Sequence, residues 1–160
     1  MMKKRDKIGL IIILALIAAF AGWYYFLNVQ PAVSDSEFGI YLLKNDELII
    51  SDEDIIWYYK NSHEIELTDE ALRKIQALEV GVCGEPFVIK LGDKEIYNGS
   101  FWNPISSVPY AGIVIEIHFY SNDNIIELRK GYPPSSFQGI DPRGDSRIFD
   151  HFQRIGKLKE

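Results

Sequence analysis

The sequence predicts an α+β protein: an N-terminal transmembrane helix, then a two-layer domain whose mostly antiparallel sheet carries helices on one face. Three observations predict it. Residues 8–27 form one uncharged apolar run. Between 38 and 130, short stretches rich in β-branched and aromatic residues recur, several alternating apolar with polar positions. Two segments, one after Thr68 and one from Ser146, place apolar residues at helical spacing.

The anchor comes first in the chain. A run of 20 residues forms a helix about 30 Å long, the hydrocarbon thickness of a bilayer. Lys3, Lys4, Arg5 and Lys7 precede it against the single acid Asp6. Positive flanks stay inside, so residues 1–7 are cytoplasmic and the domain lies outside a single-pass cell-membrane anchor. Trp23, Tyr24 and Tyr25 mark the outer interface, where amphipathic rings favour the headgroup layer. Ala19-Phe20-Ala21 offers a small-x-small cleavage site. Cleavage there would expose an apolar end, Gly22-Trp23-Tyr24-Tyr25, so the run reads as an uncleaved signal-anchor. No cysteine follows directly, which excludes a lipoprotein anchor. Residues 28–37 are polar, with Pro31, and read as a linker to the domain at 38–160.

Beyond residue 27 the chain carries 13 basic and 22 acidic side chains. Such a domain repels phosphate backbones and anionic surfaces, which argues against nucleic-acid binding. The lone Cys83 permits no intramolecular disulfide. It reads as a small buried thiol.

Each domain element has a local reason. Residues 38–43 and 48–50 read as strands around a 44–47 turn. Ser51 caps a short helix with Asp52, Glu53 and Asp54 in its first turn and Ile55, Ile56 and Tyr59 as its buried stripe. Residues 64–67 alternate as a strand. Thr68 caps the next helix, with Leu67 and Leu72 at staple spacing and Leu72, Ile75 and Leu78 on one face. Residues 87–97 form a hairpin about Gly92-Asp93, pairing Lys90 with Glu95 and Ile89 with Ile96. A second hairpin joins 113–120 to 125–130 through 121–124. It sets Ile117 opposite Leu128, Phe119 opposite Ile126, Glu116 opposite Arg129 and His118 opposite Glu127. Residues 131–145 are a Pro- and Gly-rich loop. Residues 146–155 form the last helix, apolar at Ile148, Phe149, Phe152 and Ile155 and ended by Gly156.

The middle of the chain carries a motif string: Ile65-x-Leu67-Thr68-x-Glu70-Ala71-x-x-Lys74-Ile75, then Gly84-x-Pro86-Phe87-Val88-Ile89-x-Leu91-x-Asp93-x-x-Ile96. Over about 63–120 it resembles the head of the first periplasmic domain of the SecD subunit of the preprotein translocase. The resemblance implies a βαββ core outside the membrane. It carries over no transport activity, which in that family belongs to a multi-helix channel; what it implies is a shared fold and a way of holding protein segments.

Little in the chain points to chemistry. His63, His118 and His151 show no metal-ligand spacing. Asp150 and His151 are adjacent, and neighbours on a helix diverge by about 100°. Asp52, Glu53 and Asp54 lack the ligand spacing of a calcium loop, so no metal or cofactor is expected. Arg143-Gly144-Asp145 matches an adhesion tripeptide too short to mean anything alone. Asn98-Gly99-Ser100 is a glycosylation sequon at Asn98. Residues 101–110, with Phe101, Trp102, Tyr110 and two prolines, are the candidate partner contact. The competing reading places Phe101 and Trp102 in the core and is the stronger, which leaves Tyr110 as the better candidate for contact.

Three function classes fit. The leading one is a non-catalytic, membrane-anchored domain binding a protein or peptide outside the membrane. The second is an assembly subunit of a membrane complex that acts through its helix. The third, a cell-envelope hydrolase, lacks a nucleophile–base pair.

Overall fold

A computed structural model describes residues 37–118 and 123–160. The apolar run 8–27, most of the linker and the 119–122 segment with Phe119 lie outside them. No helix among the described residues is long and apolar enough to cross a membrane.

The domain is α+β, built on two mixed sheets. Six strands order as β2-β1-β5-β6-β7-β9: Phe38–Leu42 (β1), Leu48–Ser51 (β2), Glu85–Leu91 (β5), Lys94–Trp102 (β6), Tyr110–Glu116 (β7) and Arg129–Tyr132 (β9). Four order as β10-β3-β4-β8: Ile55–Tyr59 (β3), Glu64–Leu67 (β4), Ile125–Glu127 (β8) and Leu158–Lys159 (β10). Two helices, Asp69–Gln76 (α1) and Ser146–Arg154 (α2), complete it. The expected single sheet is therefore corrected to two. The chain switches sheets at Leu128, fully buried between β8 and β9.

Both sheets and both helices share one core. Ile40, Ile89 and Ile115 come from the larger sheet, Tyr58 and Ile65 from the smaller, Ala71 and Ile75 from α1, and Ile148 and Phe152 from α2. Phe152 stacks on Tyr58 at 4.8 Å and meets Phe38 at 4.9 Å, so one ring joins α2 to both sheets.

The local signals act as physics requires in most elements. Thr68 caps α1 by accepting from Ala71 N at 3.2 Å, and Asp145 caps α2 from Arg147 N at 3.0 Å. Gly156 ends α2 at φ +71, a conformation that costs glycine no Cβ clash. The expected helix after Ser51 is a correction: only Asp52–Asp54 turns, as a 3-10 helix, and Ile55–Tyr59 is a strand. Its Ile-Ile-Trp-Tyr-Tyr composition fits a pleated surface better than a helix. Ile56, expected inside, is exposed.

Registers hold in part. Lys90 pairs with Glu95 as expected, but a bulge moves Ile89 from Ile96 to Tyr97. In the second β-pair, Val114 pairs with Arg129 and Ile113 with Lys130, two residues from the expected register. A shift of two keeps every side chain on its face, and Glu116 still reaches Arg129 diagonally in an ion pair. Ile125–Glu127 leaves this pairing for β4 in the other sheet.

β6 and β7 are parallel, not hairpin neighbours. Seven residues, 103–109, join them, fewer than the dozen or so that a crossover usually takes. The connection opens with a turn, Ser106 N donating to Asn103 O at 2.9 Å, and then returns along the sheet.

Candidate contact surface

Alternation along β6 sends Phe101 to the shared core and Trp102 to the opposite face of the sheet. Phe101 is 0% and Trp102 1% exposed. As candidate contacts they are corrected: neither offers surface. Trp102 packs under the connection, its ring 5.1 Å from Tyr110 and 5.8 Å from Tyr132. Its indole Nε1 is buried without a partner among the described residues. Tyr110 is half-buried, and burial raises its phenol pKa. Asn98 is exposed on β6.

The connection is held by polar contacts at successive positions. Asn103 Nδ2 donates to Val80 O at 3.2 Å, and Ile105 N donates to Asn103 Oδ1 at 3.1 Å. Ser106 Oγ donates to Val82 O at 2.5 Å and accepts from Val108 N at 3.1 Å. Tyr132 OH donates to Pro104 O at 2.8 Å. These bonds tie 103–108 to the 80–84 loop and to β9. What the tied loops expose is apolar: Ile105 at 83%, Val82 at 55% and Val108 at 38%. Reasoning on aromatic residues missed these three; two aliphatics close to prolines in a sheet connection were the available signal.

This surface has a definite place in the sheet. Glu85 pairs with Phe101 at the end where the two loops emerge, and Leu91 pairs with both Phe38 and Lys94 at the other. The six steps between Glu85 and Leu91 separate the ends by roughly 20 Å. The chain enters the domain at Glu37, whose carbonyl accepts from Gly92 N at 2.9 Å. The apolar loops thus project from the end opposite the entry.

None of the three histidines has both a carboxylate and a hydroxyl or thiol partner among the contacts of the described residues. His118 lies 3.9 Å from Glu116, not opposite Glu127 as expected. His63 meets Tyr58 OH at 3.4 Å, the one hydroxyl bonded to a histidine among the described residues. Burial raises that phenol pKa, so it is a poor nucleophile at neutral pH. Burial, and then the Arg143 charge, lowers the His63 pKa.

His151 does have a carboxylate partner, though not Asp150. Its Nε2 lies 2.7 Å from Asp52 Oδ1, 99 positions away in the chain, and Arg154 donates to Nδ1 at 3.1 Å. Guanidinium can only donate, so Nδ1 accepts and the proton sits on Nε2. Asp52 also takes Phe38 N at 3.1 Å, and Lys157 Nζ donates to Asp52 O and Ile55 O at 2.6 Å. This buried junction clamps α2 onto the start of β1. A separation of 99 residues left no sequence signal for it.

The acids and the short motifs have structural roles. Asp54 accepts from Ser51 N at 2.8 Å and from Lys74 at 3.0 Å. Burial pushes its pKa up, but these bonds outweigh it and hold the carboxyl low. No group of His, Cys, Asp and Glu among the described residues could hold a metal. Cys83 is exposed, a correction to the buried thiol expected. Arg143 of the Arg-Gly-Asp string is buried. It donates to Leu128 O at 2.6 Å and pairs with Asp141 at 2.7 Å, so the tripeptide is not displayed.

Compared with known protein families, characterised proteins and solved structures, the chain matches none.

Proposed function

We propose that this chain is a membrane-anchored, extracytoplasmic, non-catalytic domain that binds a protein or peptide through the Val82–Ile105–Val108 surface. One observation carries the binding reading: Ile105 is 83% exposed on a loop that side-chain hydrogen bonds hold in one conformation. An exposed apolar residue on a pre-ordered loop loses little entropy on binding and gains its full burial. The anchor reading rests on the charge-free run at 8–27 and its basic flank. The order β4-α1-β5-β6 follows the element order of the SecD head, although β4 lies in a different sheet from β5 and β6. The likeness supports a protein-holding role and supplies no activity.

Photo-crosslinking in native membranes tests this. A photoreactive side chain at position 105 should yield a discrete protein adduct. The same group at position 140, where Ile140 is 95% exposed on another loop, should not. Equal adducts at both positions, or none at 105, refute the surface. Protease added to spheroplasts tests the location separately, and protection of the domain would refute it.

A further inference from the structure

We propose that the outer face of the smaller sheet binds a basic peptide segment in extended form, seating lysine or arginine side chains against Trp57 and Tyr59. Strand alternation builds this face. Tyr58, Ile65 and Ile126 are in register across β3, β4 and β8 and point into the core. Their neighbours in the chain point the other way. Two rows result: Lys159, Tyr59, Glu64 and Glu127 in one, Trp57, Glu66 and Ile125 in the other. None of these side chains is buried.

The face already holds the chemistry it would take from a partner. The Lys159 ammonium lies 4.1 Å from the centre of the Trp57 ring and 5.3 Å from that of Tyr59. The negative faces of indole and phenol attract a cation within about 6 Å. Tyr59 OH donates to Glu66 Oε2 at 2.7 Å, which fixes ring and carboxylate together across the strands. That bond first, then desolvation and the charges of Glu66 and Glu64, raise the Tyr59 phenol pKa, so the hydroxyl keeps its proton and its bond. Trp57 and Tyr59, like Glu64 and Glu66, stand two residues apart on one strand, roughly 7 Å. Alternate side chains of an extended peptide repeat at that same distance, so one segment presents a cation to each position.

Charge decides the class of partner. Glu64 and Glu127 also line a cavity of about 340 Å³ beside the face, together with Glu116 and Asp123. Against these four and Glu66 stand Lys159, His118 and Arg129, the last paired with Glu116 and 3.7 Å from Glu127. Nearby, Lys157 donates to the carbonyls of Asp52 and Ile55, and Lys60 pairs with Glu160 at 3.6 Å. Acids stay in excess with all of these counted and His118 protonated. Such a balance repels an anion, and a neutral sugar stacks on the rings but leaves the carboxylate charge unanswered. A basic segment meets both the rings and the charge. The proposal rests on neither the anchor nor the Ile105 surface.

The test uses the full chain in micelles of an uncharged detergent. The probes are a short fluorescein-labelled peptide alternating Lys with Thr, the same peptide with Glu for Lys, and unlabelled cellohexaose as a competitor. Fluorescence anisotropy reads binding. We expect saturable binding of the Lys peptide alone, weakened about fivefold or more by Trp57→Leu and by Glu66→Gln. Glu95→Gln, the same charge change at an exposed position of the larger sheet, should weaken it less than about twofold. Lys159→Ala should tighten binding about threefold or more, because it clears the ring pair of its resident ammonium. If Lys159 only holds β10 on β3, that variant leaves binding unchanged or weaker, which overturns the proposal. Glu66→Gln and Lys159→Ala alter groups outside the core, so the test does not hang on Trp57→Leu. Absence of saturable binding, equal binding of the Glu peptide, or equal loss in Glu66→Gln and Glu95→Gln also overturns it. Displacement by cellohexaose reassigns the face to sugars and overturns it too.

Discussion

Trp102 decides whether the 101–110 segment is packing or contact, and its energetics can be worked from the structure. The side chain is 1% exposed between Tyr110 and Tyr132. Truncating a buried Trp to Ala costs about 3–5 kcal/mol. Its Nε1 has no partner, and a buried unsatisfied donor carries a penalty of about 1–3 kcal/mol that truncation relieves. Trp102→Ala should therefore fall at the low end, about 3 kcal/mol, or roughly 10 °C in melting temperature for a domain of this size. Trp102→Phe separates the two contributions. It loses part of the ring volume but also the unsatisfied donor, so it should cost under about 1 kcal/mol. Urea unfolding of residues 34–160, followed by far-ultraviolet circular dichroism, measures both. A Trp102→Phe cost above about 2 kcal/mol would refute the reasoning, because it would mean that Nε1 makes a bond whose loss both variants share. A Trp102→Ala protein within about 0.5 kcal/mol of wild type would refute the burial argument itself.

Arg143→Gln should cost about 2–4 kcal/mol by chemical denaturation, because it strips Leu128 O and Asp141 of their buried partner; a surface-like cost below about 0.5 kcal/mol would contradict its role. Stability should fall as pH drops below 6.5. The lowered His63 pKa means that the unfolded state takes up its proton first, so the contribution present above 6.5 is lost on acidification. A second loss should begin below about 3.8, where the lowered carboxyls of Asp54, Asp141 and Asp145 must be protonated. His63→Asn, chosen because Asn tolerates the φ of +57 at this site, should flatten the curve between pH 5 and 7 while leaving the acid limb; an unchanged curve would assign the loss elsewhere. Residues 34–160 should unfold cooperatively at the same midpoint with or without chelator and reductant, since Cys83 is a free thiol. A large drop with either agent would reveal a missed metal or crosslink.

Sequence alone determined what depends on neighbours in the chain. Thr68 before Asp69 and Glu70 is a cap wherever that segment lies, and Gly92-Asp93 closes a turn between any two strands of that composition. Alternation at Ile113 and Ile115 named the inward face of β7, and even a two-residue register shift preserved it. Residues 55–59 failed because Ile55, Ile56 and Tyr59 suit both a helical stripe and a strand over so short a window. Pairing with β4 settled the choice. What only the tertiary structure decided involves partners far apart in the chain: the parallel register of β6 and β7, the move of β8 to the smaller sheet, and the Asp52–His151 junction across 99 positions. The candidate surface divides in the same way. Aromatic composition singled out the segment 101–110, but strand alternation and the path of the connection turned Phe101 and Trp102 inward and left Ile105 in solvent. A side chain's burial is set by what packs over it: Trp102 lies against Gly84 of the 80–84 loop and Tyr132 of β9, partners that local residue order does not encode, whereas Ile105 stays exposed.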